Sequence, residues 1–277
     1  MATVDAASVK RLREMTSAGI MDCKGALAET NGDFDAAAKL LREKGIASAA
    51  KKADRTAADG MVGVSVAPDG KRAALVEVNC ETDFVARNEK FQELANGLAE
   101  VAQQGGFDSV EGLMAQQVGG KPVDEAIKEA MATLGENIVV ARVAMIESEG
   151  TIGAYVHTDG KQAALVNVVG GESAGDIARD VAMQAVALKA PYLNRESVPA
   201  DVVEGEKHIY RQQAAGEGKP EAMLDKIAEG RLNKFYQQNT LVEQPFIKDD
   251  KKSVQQVVKA GNGDVAGFVR FKVGEGS

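Results

Sequence analysis

The run Asn79-Cys80-Glu81-Thr82-Asp83-Phe84-Val85-Ala86-Arg87 sets a carboxylate directly before an aromatic ring, just after a strand-like apolar stretch. A ring in such a loop either folds back into its own core or is presented to a partner, and both readings stay open on chemistry alone. With no Trp, 4 Tyr and 8 Phe, the chain has few rings to leave on a loop. Catalytic constellations are missing. The two histidines, His157 and His208, stand apart, and no HExxH, GxSxG, P-loop or metal-ligand spacing occurs. His157 aligns with Ala67 in a repeat described below, which makes it an exposed strand position. Gly170-Gly171 is too short to cradle a phosphate. We expect no enzyme activity, no catalytic residue, no metal site and no cofactor.

The elements that must position this run sit in a chain of 277 residues, long enough for about two domains and a sizeable core. The net charge of −8, from 33 basic and 41 acidic residues, argues against broad nucleic-acid binding, which needs a basic footprint. Cys23 and Cys80 lie far apart and read as free thiols of a reducing compartment. Met1 to Lys10 lacks the apolar core of a signal peptide, and no run approaches the roughly 20 apolar residues of a membrane span. A cytoplasmic location is expected.

The middle of the chain holds an internal repeat. Residues 60–78 align without gaps on 150–168, with 11 of 19 positions identical, among them Gly60, Gly63, Asp69, Gly70, Lys71 and Leu75. Each copy reads as strand, Asp-Gly turn, strand, followed by a helix: Asn88 to Gln104 in the first copy and Ala174 to Lys189 in the second. Ile138 to Ile146 adds a strand to the first copy. After the second strand the copies diverge, with Cys80-Glu-Thr-Asp-Phe-Val85 in one and Val169-Gly-Gly-Glu-Ser173 in the other. A shared scaffold explains the common residues but not the Asp-Phe.

Ahead of the repeat, residues 5–45 read as three short helices. Asp33 caps the third and Gly45 ends it. Residues 46–59 read as a partly helical linker. Residues 199–236 interrupt the second copy as two helices around Gly216-Glu-Gly-Lys-Pro220, a hairpin that either projects from the body or packs into it. Gln244 to Ile247 looks extended, Val254 to Ala260 helical, and Val265 to Val273 a final strand. The fold class is α+β: a three-helix N-terminal domain (1–45), the linker (46–59), and two related α+β subdomains with antiparallel sheets (60–149 and 150–277), the second carrying the inserted hairpin. A scaffolding protein would fit this organisation yet leave the Asp-Phe unexplained.

Five stretches carry a resemblance that spans the chain in order: Val9 to Lys24 (VKRLREMTSAGIMDCK), Ala28 to Asp33, Glu77 to Val85 (EVNCETDFV), Gly230 to Phe235 and Phe268 to Gly274. Through them the chain resembles the elongation factor Ts family of bacterial guanine-nucleotide exchange factors. The resemblance implies a ubiquitin-associated-like N-terminal domain and elongation factor Tu as the partner whose GDP is released. It implies that Thr82, Asp83, Phe84 and Val85 enter the GTPase near its bound Mg²⁺, with Phe84 wedged between helices. It also implies partner contacts at Arg13, Ile20, Met21 and Lys24, at Gln184 (His in some members), and at Ile247. Neither direct nucleic-acid nor membrane contact is implied. The hairpin could join two copies of the chain as a dimer. Some members carry a helical module after the last strand; contacts from one are not expected here, where the sequence reaches Ser277.

Overall fold

The computed structural model describes residues 4–16, 18–50, 52–171 and 174–275; of 46–50 it describes the backbone alone. Three helices come first: α1 (Ala6–Thr16), α2 (Ile20–Glu29) and α3 (Phe34–Ala50). Val9, Leu12, Cys23, Ala26, Leu27 and Ala37 close a small core between them. The Asp33 carboxylate accepts the backbone N–H groups of Asp35 and Ala36, both at 3.0 Å, and so caps α3.

Gly45 does not end α3, contrary to the sequence reading. The helix runs on to Ala50, and a Cβ at Gly45 would stand 2.8 Å from the Ala132 Cβ of a facing helix. Close approach, not helix termination, accounts for that glycine. Arg42 of α3 pairs with Glu125 and Glu129 of the same facing helix. Beyond α3, Asn137 Nδ2 donates to the carbonyls of Ala53 (3.1 Å) and Arg55 (2.7 Å), tying the following segment down.

The first repeat comprises β1 (Asp59–Val66), β2 (Arg72–Cys80), α4 (Asp83–Ala86), α5 (Glu89–Gly105), α6 (Val110–Met114), a two-residue pair β3 (Gln117–Val118) and β4 (Lys121–Pro122), α7 (Val123–Leu134) and β5 (Val139–Glu147). The second comprises β6 (Thr151–Val156), β7 (Gln162–Gly170), α8 (Ala174–Leu188), α9 (Ala200–Gly216), α10 (Glu221–Asn239), β8 (Pro245–Phe246), β9 (Asp249–Ser253), α11 (Val254–Ala260) and β10 (Gly263–Lys272). Each main sheet has three antiparallel strands, ordered β1-β2-β5 and β6-β7-β10.

The repeat reaches further than the identical residues do. Gly63 pairs with Val76 and Gly153 with Val166, the same register at the 90-residue offset. The third strand of each sheet has a bulge at the same level, opposite Glu77/Val78 in one and Asn167/Val168 in the other. A Cβ on Gly63 would lie 2.2 Å from the Ala95 carbonyl oxygen of α5, and one on Gly153 2.3 Å from the Arg179 nitrogen of α8. Both glycines let a helix backbone lie directly on its first strand.

The two sheets pack face to face through Val62, Leu75, Ile152, Leu165 and Phe271. The bonds across this interface are reciprocal: Val62 N–H donates to Gly160 O (2.9 Å) and Ile152 N–H to Gly70 O (2.8 Å), again 90 residues apart. Helices cover the outer faces, α5 and α7 on one sheet and α8 and α11 on the other. Glu77, buried, is paired with Arg142 and accepts the Gly274 N–H, locking the end of the chain to the first sheet.

The helical hairpin projects. Of α9 and α10 only Ala214, Leu224 and Ala228 are buried. Ion pairs Arg211–Glu221 and Arg231–Glu217 hold its far end, while at its root Arg195 binds Glu243 and stacks 4.5 Å over Tyr236.

Candidate functional site

The segment after β2 is not an open loop. Thr82, in extended conformation, caps a single helical turn, α4, with its hydroxyl accepting the Val85 N–H at 3.4 Å. One helical turn distributes its side chains around the axis. Val85 and Ala86 are buried in the first-repeat core, and Phe84 on the opposite side is 82 % exposed. The fold-back reading of Phe84 is therefore excluded: the core places go to its two neighbours. Asp83 is half-buried and pairs with Arg87 at 3.0 Å.

The turn is anchored from both directions. Cys80 Sγ donates to the Thr82 carbonyl at 3.2 Å. Burial, reinforced by the nearby Glu136 and Asp59 carboxylates, pushes the Cys80 thiol up to about 12, so it stays protonated and unreactive at neutral pH. Glu136, between α7 and β5, accepts the Glu81 and Thr82 N–H groups, both at 3.0 Å, and the Thr82 hydroxyl at 2.5 Å. In return, Glu81 accepts the Asn137 N–H at 2.7 Å. Sequence reasoning did not single out Glu136. Its partners lie more than 50 residues away, and nothing in its own neighbourhood points to them.

The other residues singled out from sequence fall into two further groups. Arg13 on α1 and Ile20, Met21 and Lys24 on α2 are all exposed, with Ile20 at 55 % and Met21 at 73 %. Ile20 and Lys24 stand one helical turn apart, so they share a face. Met21 also lines a cleft of about 510 Å³ between these helices and α7, together with Met15, Arg42, Lys121 and Glu129.

Gln184 and Ile247 form the third group, and they meet. Gln184 is 0 % exposed, its amide donating to Gln244 Oε1 (3.2 Å) and Pro245 O (3.0 Å) and accepting the Ile247 N–H (2.9 Å). Ile247 itself is 42 % exposed. The expected direct partner contact at Gln184 has no surface in this structure. The side chain instead fixes the backbone that carries Ile247, and Lys248 adds a 2.6 Å pair with Asp180 one turn earlier on α8.

The histidines play no part in any of these groups. His157, half-buried just after β6 and so not at the exposed strand position expected of it, lies 3.4 Å from the Tyr155 hydroxyl, and His208 is exposed on α9 beside Gln212. Among the described residues no group of three or more His, Cys, Asp or Glu could hold a metal ion, and no helix is long and apolar enough to cross a membrane.

What the arrangement offers is an exposed ring on an anchored turn, with further exposed side chains on α1 and α2 and at Ile247. Known proteins carry related sequences. Residues 81–275 match the family model described as Elongation factor TS. Elongation factor Ts of a Hydrogenobaculum species is 45 % identical over 276 residues, covering 98 % of this chain and 99 % of that protein. Elongation factor Ts of a Nitratiruptor species is 44 % identical over 286 residues, covering 99 % and 94 %. That of Halothermothrix orenii is 42 % identical over 273 residues, covering 97 % and 91 %. On a family match over most of its length and this identity along the whole of it, the chain belongs to the elongation factor Ts family.

Proposed function

We propose that this translation elongation factor is a guanine-nucleotide exchange factor, which binds elongation factor Tu in its GDP form and promotes GDP release so that GTP can rebind. The observation that carries the reading is Phe84: a large ring left 82 % exposed on a turn whose neighbours are buried and whose backbone is clasped by Glu136. A backbone held in place before binding loses little conformational freedom on docking.

In GTPases of the partner's class a Mg²⁺ ion bridges the phosphates and the nucleotide-binding loop. Asp83 and Phe84 would act at that Mg²⁺/phosphate site, the ring wedging between the partner's helices and the carboxylate arriving beside the ion, while Val85, buried in the core and not the partner contact expected of it, and Thr82, bonded to Glu136, hold the turn from within. The factor makes and breaks no covalent bond. It can expel GDP only as far as it binds the nucleotide-poor state more tightly.

In this scheme Phe84 is one contributor among several. Burying one Phe contributes roughly 1.5–3 kcal/mol, one to two decades in an equilibrium constant. A stable complex adds a wider interface around it, near or above the standard ~1,600 Å². Arg13, Ile20, Met21 and Lys24 on one side and Ile247 on the other supply exposed surface for it. Titration calorimetry of this protein into elongation factor Tu tests the scheme: affinity for the nucleotide-free partner should exceed that for the GDP-loaded one by at least a hundredfold. Equal affinities would overturn it.

A further inference from the structure

We propose that Glu136 is a positioning residue for Phe84: its carboxylate sets the turn that presents the ring, and it acts on the partner only through that ring. The inference rests on the reading of Phe84 as the group that enters the partner. Gly135, at φ +84, ends α7 in the left-handed conformation and delivers Glu136 to the end of β2. There one carboxylate accepts three donors: the N–H groups of Glu81 and Thr82 and the Thr82 hydroxyl. A carboxylate has acceptor sites for all three, and charge-assisted bonds of this kind are the stronger ones.

The clasp closes in both directions, since Glu81 Oε1 takes the Asn137 N–H and also faces Arg55 at 3.5 Å. Downstream, Val85 and Ala86 are held in the core. Phe84 therefore sits between two fixed points and is itself free of the body.

The sister repeat keeps the scaffold but not the residues of the clasp. It has the same strands, register and bulge, yet at the position 90 residues after Glu81 it carries Gly171, preceded by Gly170, with both φ angles positive. With no side chain, Gly171 cannot return a bond as Glu81 does to the Asn137 N–H. The clasp occurs in the copy that carries the exposed ring.

Without Glu136 the turn would sample conformations that do not present the ring. Only the presenting fraction binds, so the concentration of factor needed for half-maximal effect rises by the inverse of that fraction, while the rate at saturation is kept.

The test is a double-mutant cycle in the full chain: wild type, Glu136→Ala, Phe84→Ala and the double variant, each titrated into the GDP-loaded GTPase with release of labelled GDP as readout. With Phe84 present, Glu136→Ala should raise the half-saturating concentration about tenfold or more and leave the saturating rate within twofold. In the Phe84→Ala background it should change neither by more than twofold. Glu136→Gln, which can accept both N–H groups and donate to the Thr82 hydroxyl, should restore wild-type behaviour to within about threefold.

Equal penalties in both backgrounds, or no penalty at all, would overturn the proposal. If Glu136→Ala does not fold, Thr82→Val removes the hydroxyl of the clasp. It should then cost several-fold with Phe84 present and nothing in the Phe84→Ala background, and equal costs again overturn it. Amide hydrogen exchange on the free protein judges the clasp apart from function: the Glu81 and Thr82 amides should exchange at least tenfold faster in Glu136→Ala. Unchanged exchange means the clasp is not what orders the turn. If Phe84→Ala leaves GDP release untouched, the reading of Phe84 has failed, and the exchange result alone decides whether the clasp stands.

Discussion

Replacing Gln184 by alanine separates two accounts of the second subdomain. The side chain is 0 % exposed and holds three groups: the Gln244 side-chain oxygen, the Pro245 carbonyl and the Ile247 N–H. Alanine strands the Pro245 and Ile247 backbone groups and leaves a cavity. Each unsatisfied buried group costs about 1–3 kcal/mol. Ile247 is partly open to solvent, so its N–H recovers some of that in water. A loss of about 3 kcal/mol follows, which lowers Tm by about 6–12 °C in a protein of this size. Gln184→Met restores volume but not the bonds and should recover less than half of the loss. Calorimetric melts of the three proteins measure this directly, with partner affinity measured alongside. A Tm within about 2 °C of wild type together with weakened partner binding would refute the reasoning, because a side chain that touches the partner directly behaves that way.

Three further outcomes are expected. Gly63→Ala and Gly153→Ala force a Cβ into helix backbone at 2.2 and 2.3 Å and should each cost about 1–3 kcal/mol by equilibrium denaturation, whereas Gly205→Ala in α9, with nothing within 4 Å, should stabilise by about 0.5–1 kcal/mol. Asp59 is pushed up by its burial, but its bonds from Lys161 (2.8 Å) and the Gly60 N–H (2.7 Å) outweigh that and hold its carboxyl below the ordinary value. A depressed folded pKa gives stability that is present above about pH 4 and is lost as the pH falls through the folded value; the Tm gap between wild type and Asp59→Asn should be widest near neutral pH and narrow steadily on acidification below that. Replacing residues 201–235 with a short Gly/Ser linker removes most of the projecting hairpin and should preserve most stimulated GDP release; collapse to the unstimulated rate in a folded graft would place the hairpin in the partner interface.

The duplicated hairpins were legible because their Asp-Gly turns and alternating strands repeat at a fixed offset, and the structure keeps the same register. The equivalence of β5 and β10 was not, since they share a bulge and a pairing edge but little sequence. The segment between Gly106 and Gly135 went unread, although α7 carried usable signals: Pro122 before it, Val123, Ile127 and Met131 on one face, and Gly135 after it. Gly45 misled because a glycine after an apolar helix face has two physical uses, ending the helix or admitting a neighbour, and only the position of Ala132 decides between them. At the candidate site, the type and place of Phe84 were readable. Its exposure depended on Val85 and Ala86 taking the core places. The Glu136 clasp depended on contacts across the fold that no local pattern carries.

The measurement closest to the central claim is the release of labelled GDP from elongation factor Tu, followed with no factor, with the wild-type chain, and with Phe84→Ala whose Tm matches wild type within a few degrees. Because the ring is 82 % exposed in the free protein, its removal should leave folding intact. Strong acceleration by the wild-type chain is expected and, at limiting factor, an acceleration about 10- to 100-fold weaker with Phe84→Ala, the equivalent of losing one buried ring. A wild-type chain that leaves the release rate at its unstimulated value, or a Phe84→Ala variant as active as wild type, would contradict it.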